Sequence, residues 1–309
     1  MLGWNGNNPL LQGENSTMTG ILLIDKSPDW TSHDVVAKLR RLCKERRIGH
    51  AGTLDPMATG LLVVCIGRAT RGVEFAQAEE KTYITRLQLG LTTDTQDTTG
   101  RILSQCDSQI SQADLEEVLP KFQGEISQLP PMYSAIKIKG QKLYQLARQG
   151  IEIEREPRRV TIRNISILGQ TENGFDLEIT CSKGTYIRTL CHDIGAALGR
   201  GGAMAALRRT RIGQFSLENA HTMEALESEE NIGQFLHPVD NLFSAYPALA
   251  LDAIREKGLK NGQTLDMPRG EPGLYRVYSQ TGEFLAFGEI IKESQFKLTV
   301  KKSFFTPNP

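Results

Sequence analysis

Two short runs of the chain, Ile21–Ile24 and Leu61–Ile66, are apolar at successive positions, with no polar residue to mark a solvent face. Such runs read as strands covered on both sides, here Gly20–Asp25 and Gly60–Gly67. Lys81–Leu91 alternates instead and reads as a strand with one open face. Thr31 or Ser32 can cap a helix to about Arg47, in which Val35, Val36, Leu39 and Leu42 recur at helical spacing. Ala69–Ala78 reads as a second helix. Lys26–Trp30 is a turn broken by Pro28, Gly49–Pro56 is a Gly-rich loop that fits neither period, and Thr92–Gly100 is a further loop.

Ser111 opens a helix to about Phe122, with Asp114 three residues on as a capping box. Met132–Ile138 and Arg158–Cys181 carry strand signals, and Thr185–Leu198 is amphipathic and helical. Arg200–Phe215 reads as a basic loop leading into a strand. Beyond Tyr246–Pro247 come short β-like runs separated by Gly and Pro. The expected organisation is a loose polar tail at 1–17, a main domain at 18–246 and a small β-rich domain at 247–309.

Composition narrows the class. The chain has 309 residues, 39% hydrophobic and 23% charged, which excludes wholesale disorder, collagen and coiled coil. No apolar run approaches the roughly 18 residues of a membrane span. No positive charge precedes an apolar core at the N-terminus, so no secretory signal is read and the cytoplasm is expected. The five cysteines are odd in number and form no CxxC, which argues against a disulfide framework and against zinc. No GxGxxG, P-loop or HExxH occurs, so neither a cofactor nor a metal is expected.

The 36 Lys and Arg balance the 36 Asp and Glu, but not locally. Basic residues outnumber acidic ones nine to five over 20–72, eight to three over 130–163 and six to one over 181–215. If these segments converge they make a face for an anionic ligand; if they scatter they are solvated surface.

The most informative stretch is GHAGTLDPMATGLLVVCIGRATR at 49–71. It sets Asp55 on a Gly-rich loop before a buried strand, with Pro56 biasing Asp55 to an extended backbone. A carboxylate held this way can serve as nucleophile or general base, or can simply stabilise its own turn.

This stretch resembles the catalytic-Asp motif of TruB-type tRNA pseudouridine synthases. GILLIDKSPDWTSHDVV resembles the N-terminal motif of that family, with Ser27 and Asp29 departing where Pro and Gly-like residues are usual. KTYITRLQLGLTTDTQDTTG resembles its active-site Tyr segment, and PPMYSAIKIKGQKLYQLARQG its internal signature. CSKGTYIRTLCHDIGAALG resembles its Tyr-x-Arg motif, and LRRTRIGQF the stretch closing the pocket. The matches run in order over residues 20–215.

The resemblance implies an α+β catalytic domain on a mainly antiparallel mixed sheet, followed by a C-terminal β-rich PUA-like domain. It implies isomerisation of uridine 55 in the TΨC loop of tRNA, with the T-stem-loop as partner and no obligate protein partner. Asp55 would be the nucleophile. Arg188 would pair with it and lower its pKa, and Lys26 would lie near the site. His50 would fill the space of a flipped-out base. Tyr83 would stack on that base and handle a proton at C5, with Tyr186 and Leu207 as pocket walls. Taken singly, Arg188 could be a helix-surface charge, and Tyr83, Tyr186 and Leu207 could be core.

Two other readings share part of these features. A non-catalytic tRNA-binding chaperone shares the basic segments but has no need of Asp55, Tyr83 and Arg188 together. A hydrolytic glycosidase needs a second carboxylate, and Glu74, Glu79 and Glu80 lie in no motif that supplies one.

Overall fold

A computed structural model describes residues 18–306 except 108, 135 and 139; the expected tail at 1–17 lies outside the described residues. The main sheet has nine strands: β1 Gly20–Lys26, β2 Ile48–His50, β3 Thr59–Ile66, β4 Lys81–Leu89, β5 Gly124–Gln128, β6 Arg158–Thr171, β7 Gly174–Cys181, β8 Gly202–Ile212 and β9 Phe215–Ser216. Their order is β1-β3-β8-β4-β7-β6-β5, with β2 on β3 and β9 on β8. Every pair is antiparallel except β3 with β8. Five more strands, β10 Ala248–Ala250, β11 Leu265–Met267, β12 Gly273–Tyr278, β13 Phe284–Lys292 and β14 Phe296–Ser303, form a second sheet in the order β10-β12-β13-β14-β11. This is the α+β architecture with a C-terminal β-rich unit that the sequence predicts.

The apolar runs are apolar because both their faces are covered. Ile21, Leu23, Leu61, Val63 and Cys65 face a cluster with Phe243, Phe287 and Phe304, so the second sheet seals one side. Leu22, Ile24, Leu62 and Val64 face Val35, Val36 and Leu39 of helix α1, Ser32–Leu42, on the other. Each such side chain fully buried contributes about 1.5–3 kcal/mol. The alternating β4 buries Tyr83, Thr85 and Leu87 and exposes Ile84 and Arg86, so its inner face meets helix α2, Ile187–Ala197, in a third cluster.

Thr31 caps α1 in a reciprocal box with Asp34, and Ser111 does the same with Asp114 for the helix Gln112–Val118. Helix α1 stops at Leu42, short of Arg47, because Lys44 turns to φ 49 and the chain enters β2. Gly49 and His50 therefore belong to a strand and not to the loop. Gly90, at φ 75, ends β4 at Leu89. Among the described residues of 132–138, only Lys137–Ile138 is strand. The largest correction is at Arg200–Phe215, where the basic segment is itself the strand β8, set between β3 and β4.

Candidate active site

Asp55 sits on the loop that joins β2 to β3, and neighbouring elements fix that loop from several directions. The Ser32 hydroxyl, fully buried at the start of α1, accepts from Leu54 N–H at 2.9 Å and donates to Leu54 O at 3.3 Å. The Pro56 carbonyl accepts from Asp29 N–H at 3.0 Å and from Lys26 Nζ at 3.2 Å. Asp29 takes φ 66 there, the left-handed region that Gly occupies most readily. Ala58 N–H donates to the Asp55 carbonyl at 3.0 Å and closes the turn.

Lys26 is wholly buried, and its ammonium also donates to the Ser27 and Trp30 carbonyls at 2.9 and 2.7 Å. All three of its protons are thus committed to backbone, and burial brings its pKa down to about 8.

Arg188, the second residue of α2, points its Nε at Asp55 Oδ2, 3.0 Å away. Its side chain is 6% exposed, against 38% for Asp55. Arg188 Nη1 donates to Thr95 O at 3.1 Å and Nη2 to Tyr133 O at 2.8 Å. Asp97, equally buried, holds Oδ2 3.7 Å from Arg188 Nη1.

The opposite oxygen of Asp97 accepts from Thr95 Oγ1, Thr99 N–H and Thr99 Oγ1 at 2.8, 3.0 and 2.6 Å. Thr92 and Thr93 of the expected loop belong instead to a short strand, Leu91–Thr93, and the turn at 94–100 that follows it is an ordered cradle that fixes the arginine. Sequence reasoning missed Asp97; the Thr-Asp repetition in TTDTQDTTG was its signal. It also missed Gln128, a buried side chain that donates to Tyr186 O and accepts from Tyr186 N–H, and so anchors the start of α2.

Burial drives the pKa of Asp55 above the ordinary carboxylate range. Arg188 and Lys26 pull it back and Asp97 adds to the rise. The expected lowering by Arg188 is present as a contribution, and desolvation outweighs it.

Tyr83 and Leu207 are 7% and 8% exposed and share one apolar cluster with Leu54, Ala58 and Ile187. Burial raises the Tyr83 pKa, while Arg209 lowers it. Tyr186 caps α2 with its backbone, and its side chain is half-buried. The His50 ring meets His33 edge-on with centroids 5.7 Å apart, and burial lowers its pKa. Its Nδ1 is enclosed without a hydrogen-bond partner. Among the described residues, no hydrogen bond or ion pair links the side chains of His50, Tyr186 or Leu207 to Asp55. Nor do any three His, Cys, Asp or Glu side chains gather as a metal-holding group among them.

Comparison with known proteins gives a consistent picture. A family description, "TruB family pseudouridylate synthase (N terminal domain)", matches residues 40–187, and "tRNA pseudouridylate synthase B C-terminal domain" matches 188–244. A tRNA pseudouridine synthase B from Clostridium tetani is 43% identical over 288 residues, covering 91% of this chain and 98% of its own. One from Azoarcus sp. (strain BH72) is 44% identical over 272 residues, covering 87% and 90%. Among solved structures, an H/ACA RNP bound to a substrate RNA containing 2'-deoxyuridine superposes with a TM-score of 0.72 at 23% identity, covering 94% of this chain and 87% of that one. An archaeal box H/ACA Nop10–Cbf5 complex gives 0.70 at 24%, covering 98% and 94%. At these identities the structural likeness speaks for the fold.

Proposed function

The chain belongs to the TruB family of pseudouridylate synthases, and on that ground we propose that it acts on uridine 55 in the T-loop of tRNA with Asp55 as its nucleophile. It is an isomerase that forms pseudouridine in tRNA. The reaction breaks the N1–C1′ bond, turns the uracil and joins C5 to C1′. The proton leaves C5 and N1 gains one, so atoms balance without a co-reactant.

The observation that carries the reading is the Asp55–Arg188 pair, 3.0 Å long, with one partner buried and the other partly exposed. Arg188 and Lys26 favour the ionised carboxylate that nucleophilic attack requires, against burial and Asp97. The target base leaves its stack to reach Asp55, and His50 takes up the space it vacates. Tyr83 stacks on the extruded base and handles the C5 proton, with Leu207 and Tyr186 as walls. Lys26 acts through the loop it pins, since its own protons are occupied.

Asp97 gives no support to glycoside hydrolysis: it is buried, three donors take one of its oxygens and the other faces Arg188. The unit at 247–309 contributes a PUA-like RNA surface beside the catalytic domain at 18–246. The enzyme works in the cytoplasm on the T-stem-loop, with no obligate protein partner.

The deciding experiment is Asp55→Asn incubated in excess with T-stem-loop RNA. The variant is expected to bind RNA as the parent does, keep any tRNA-refolding action and form no pseudouridine. Measurable turnover, after mass spectrometry has excluded deamidation back to Asp, removes Asp55 from the role.

A further inference from the structure

Arg209 is the largest fully buried side chain among the described residues, at 1% exposure, and none of their carboxylates forms an ion pair with it. Burying an unpaired cation is costly, so its position calls for a reason beyond packing. Its Nε donates to Leu61 O at 2.8 Å and its Nη2 to Gly52 O at 3.0 Å. Gly52 belongs to the Asp55 loop and has φ 111; a Cβ there would lie 3.5 Å from Arg209 Nη1. In the sheet, Arg209 is the cross-strand partner of Tyr83 on one side and of Gly60 on the other. Gly60 has φ 95, and a Cβ there would stand 2.3 Å from the Arg209 carbonyl.

We propose that Arg209 is a positioning residue, a clamp that ties the Asp55 loop at Gly52 to the strand carrying Tyr83, so that carboxylate and phenol address one nucleotide. This rests on the reading of Asp55 and Tyr83 given above. A guanidinium suits the task because its planar fork reaches two carbonyls at fixed angles and donates only. The Arg209 charge also acts on the Tyr83 hydroxyl, lowering its pKa against burial. The other titratable groups acting on Tyr83 are Cys181 and Asp55. Lys26, His50 and Lys81 also feel the Arg209 charge.

The test is single-turnover pseudouridine formation at saturating T-stem-loop RNA by Arg209→Lys and Arg209→Met. Rate constant, amplitude, RNA affinity and melting are read on the same samples. A purely structural role lowers the amplitude, the fraction of competent enzyme, and leaves the rate constant alone. The clamp lowers the rate constant, about tenfold in Arg209→Lys and about a hundredfold in Arg209→Met, with affinity held within about threefold.

If Arg209→Met does not fold, Arg209→Lys decides, since it keeps the charge and loses the fork. A parental rate constant in folded Arg209→Lys overturns the proposal, and so does a loss confined to RNA affinity or amplitude. Asp55→Asn is run alongside. If it turns over, the site reading fails and takes the clamp with it; if it is silent while the Arg209 variants match the parent, the clamp alone fails.

Discussion

Arg188 serves two carboxylates whose surroundings differ, and neutralising each in turn separates stability from chemistry. Asp97 and Arg188 are 7% and 6% exposed and 3.7 Å apart. At an effective dielectric of about 20 that separation corresponds to about 4–5 kcal/mol of attraction, and breaking a buried pair costs about 3–5 kcal/mol. Asp97→Asn turns an amide donor toward a guanidinium that only donates, but keeps the oxygen on which the three bonds from Thr95 and Thr99 converge. The low end, about 3 kcal/mol, is therefore expected, or about 6 °C of melting temperature for a chain of this size.

Asp55 is 38% exposed, so solvent screens its pair with Arg188 to about 1 kcal/mol or less. Its raised pKa means the folded protein disfavours the charge at neutral pH, which offsets even that. Asp55→Asn should melt within about 2 °C of the parent.

Activity divides the other way. Asp55→Asn is silent, whereas Asp97→Asn loses about tenfold as Arg188 loosens. Because Asp97 pushes the Asp55 pKa up, its removal moves the acid limb of the rate profile to lower pH. Differential scanning fluorimetry and release of tritium from C5 of the target uridine, followed across mildly acidic to neutral buffers, read all three quantities. The reasoning is refuted if Asp55→Asn melts below Asp97→Asn, or if the acid limb of Asp97→Asn moves up.

Burial raises the thiols of Cys43 and Cys181 from 9.0 to about 11, and those of Cys65 and Cys191 to about 12. The unfolded chain thus ionises first, and stability falls as pH rises from about 9 toward 11. Lys26 and Lys81, lowered from 10.5 to about 8, act in the opposite direction between those values but are outnumbered; urea melts under reducing conditions check the sign. Gly60→Ala, whose methyl would meet the Arg209 backbone, should cost about 3 kcal/mol or more, against about 1 kcal/mol for Gly184→Ala at φ 82 in open space. Affinity for T-stem-loop RNA should weaken at least tenfold between about 50 and 200 mM salt if the three basic segments share one face.

Much of the fold was legible because burial leaves a local signature. The unbroken apolar runs of β1 and β3 record cover on two faces, and the alternation of β4 records cover on one. The Thr31 and Ser111 caps were readable from a polar residue and an aspartate three positions on. The segment at 200–215 was misread because its arginines resemble a solvated loop, whereas Arg209 is buried and Arg208 reaches Asp25 at 2.7 Å. Had the segment been taken as strand, alternation would have set Leu207 and Arg209 side by side facing inward. Asp97 and Gln128 stayed invisible for another reason: their partners, Arg188 and Tyr186, lie far along the chain. The direction of the Asp55 pKa could not be read from its neighbours in sequence, because desolvation arises only once the chain has folded around it.

The place of β8 has a consequence for how the enzyme comes into being on the ribosome. It enters the sheet between β3 and β4 from a stretch more than a hundred residues beyond either. Until Ile212 has left the exit tunnel, the nascent chain can hold only two half-sheets, each with a bare edge where β8 belongs. The Gly52 carbonyl then has no Arg209 to hold it. Synthesis that stops short of this strand yields a chain with Asp55, Tyr83 and even Arg188 in place in the sequence, yet with the gap unfilled. The same open edges can accept the β8 of a neighbouring nascent chain, so strand exchange between copies is the characteristic misfolding hazard of this topology.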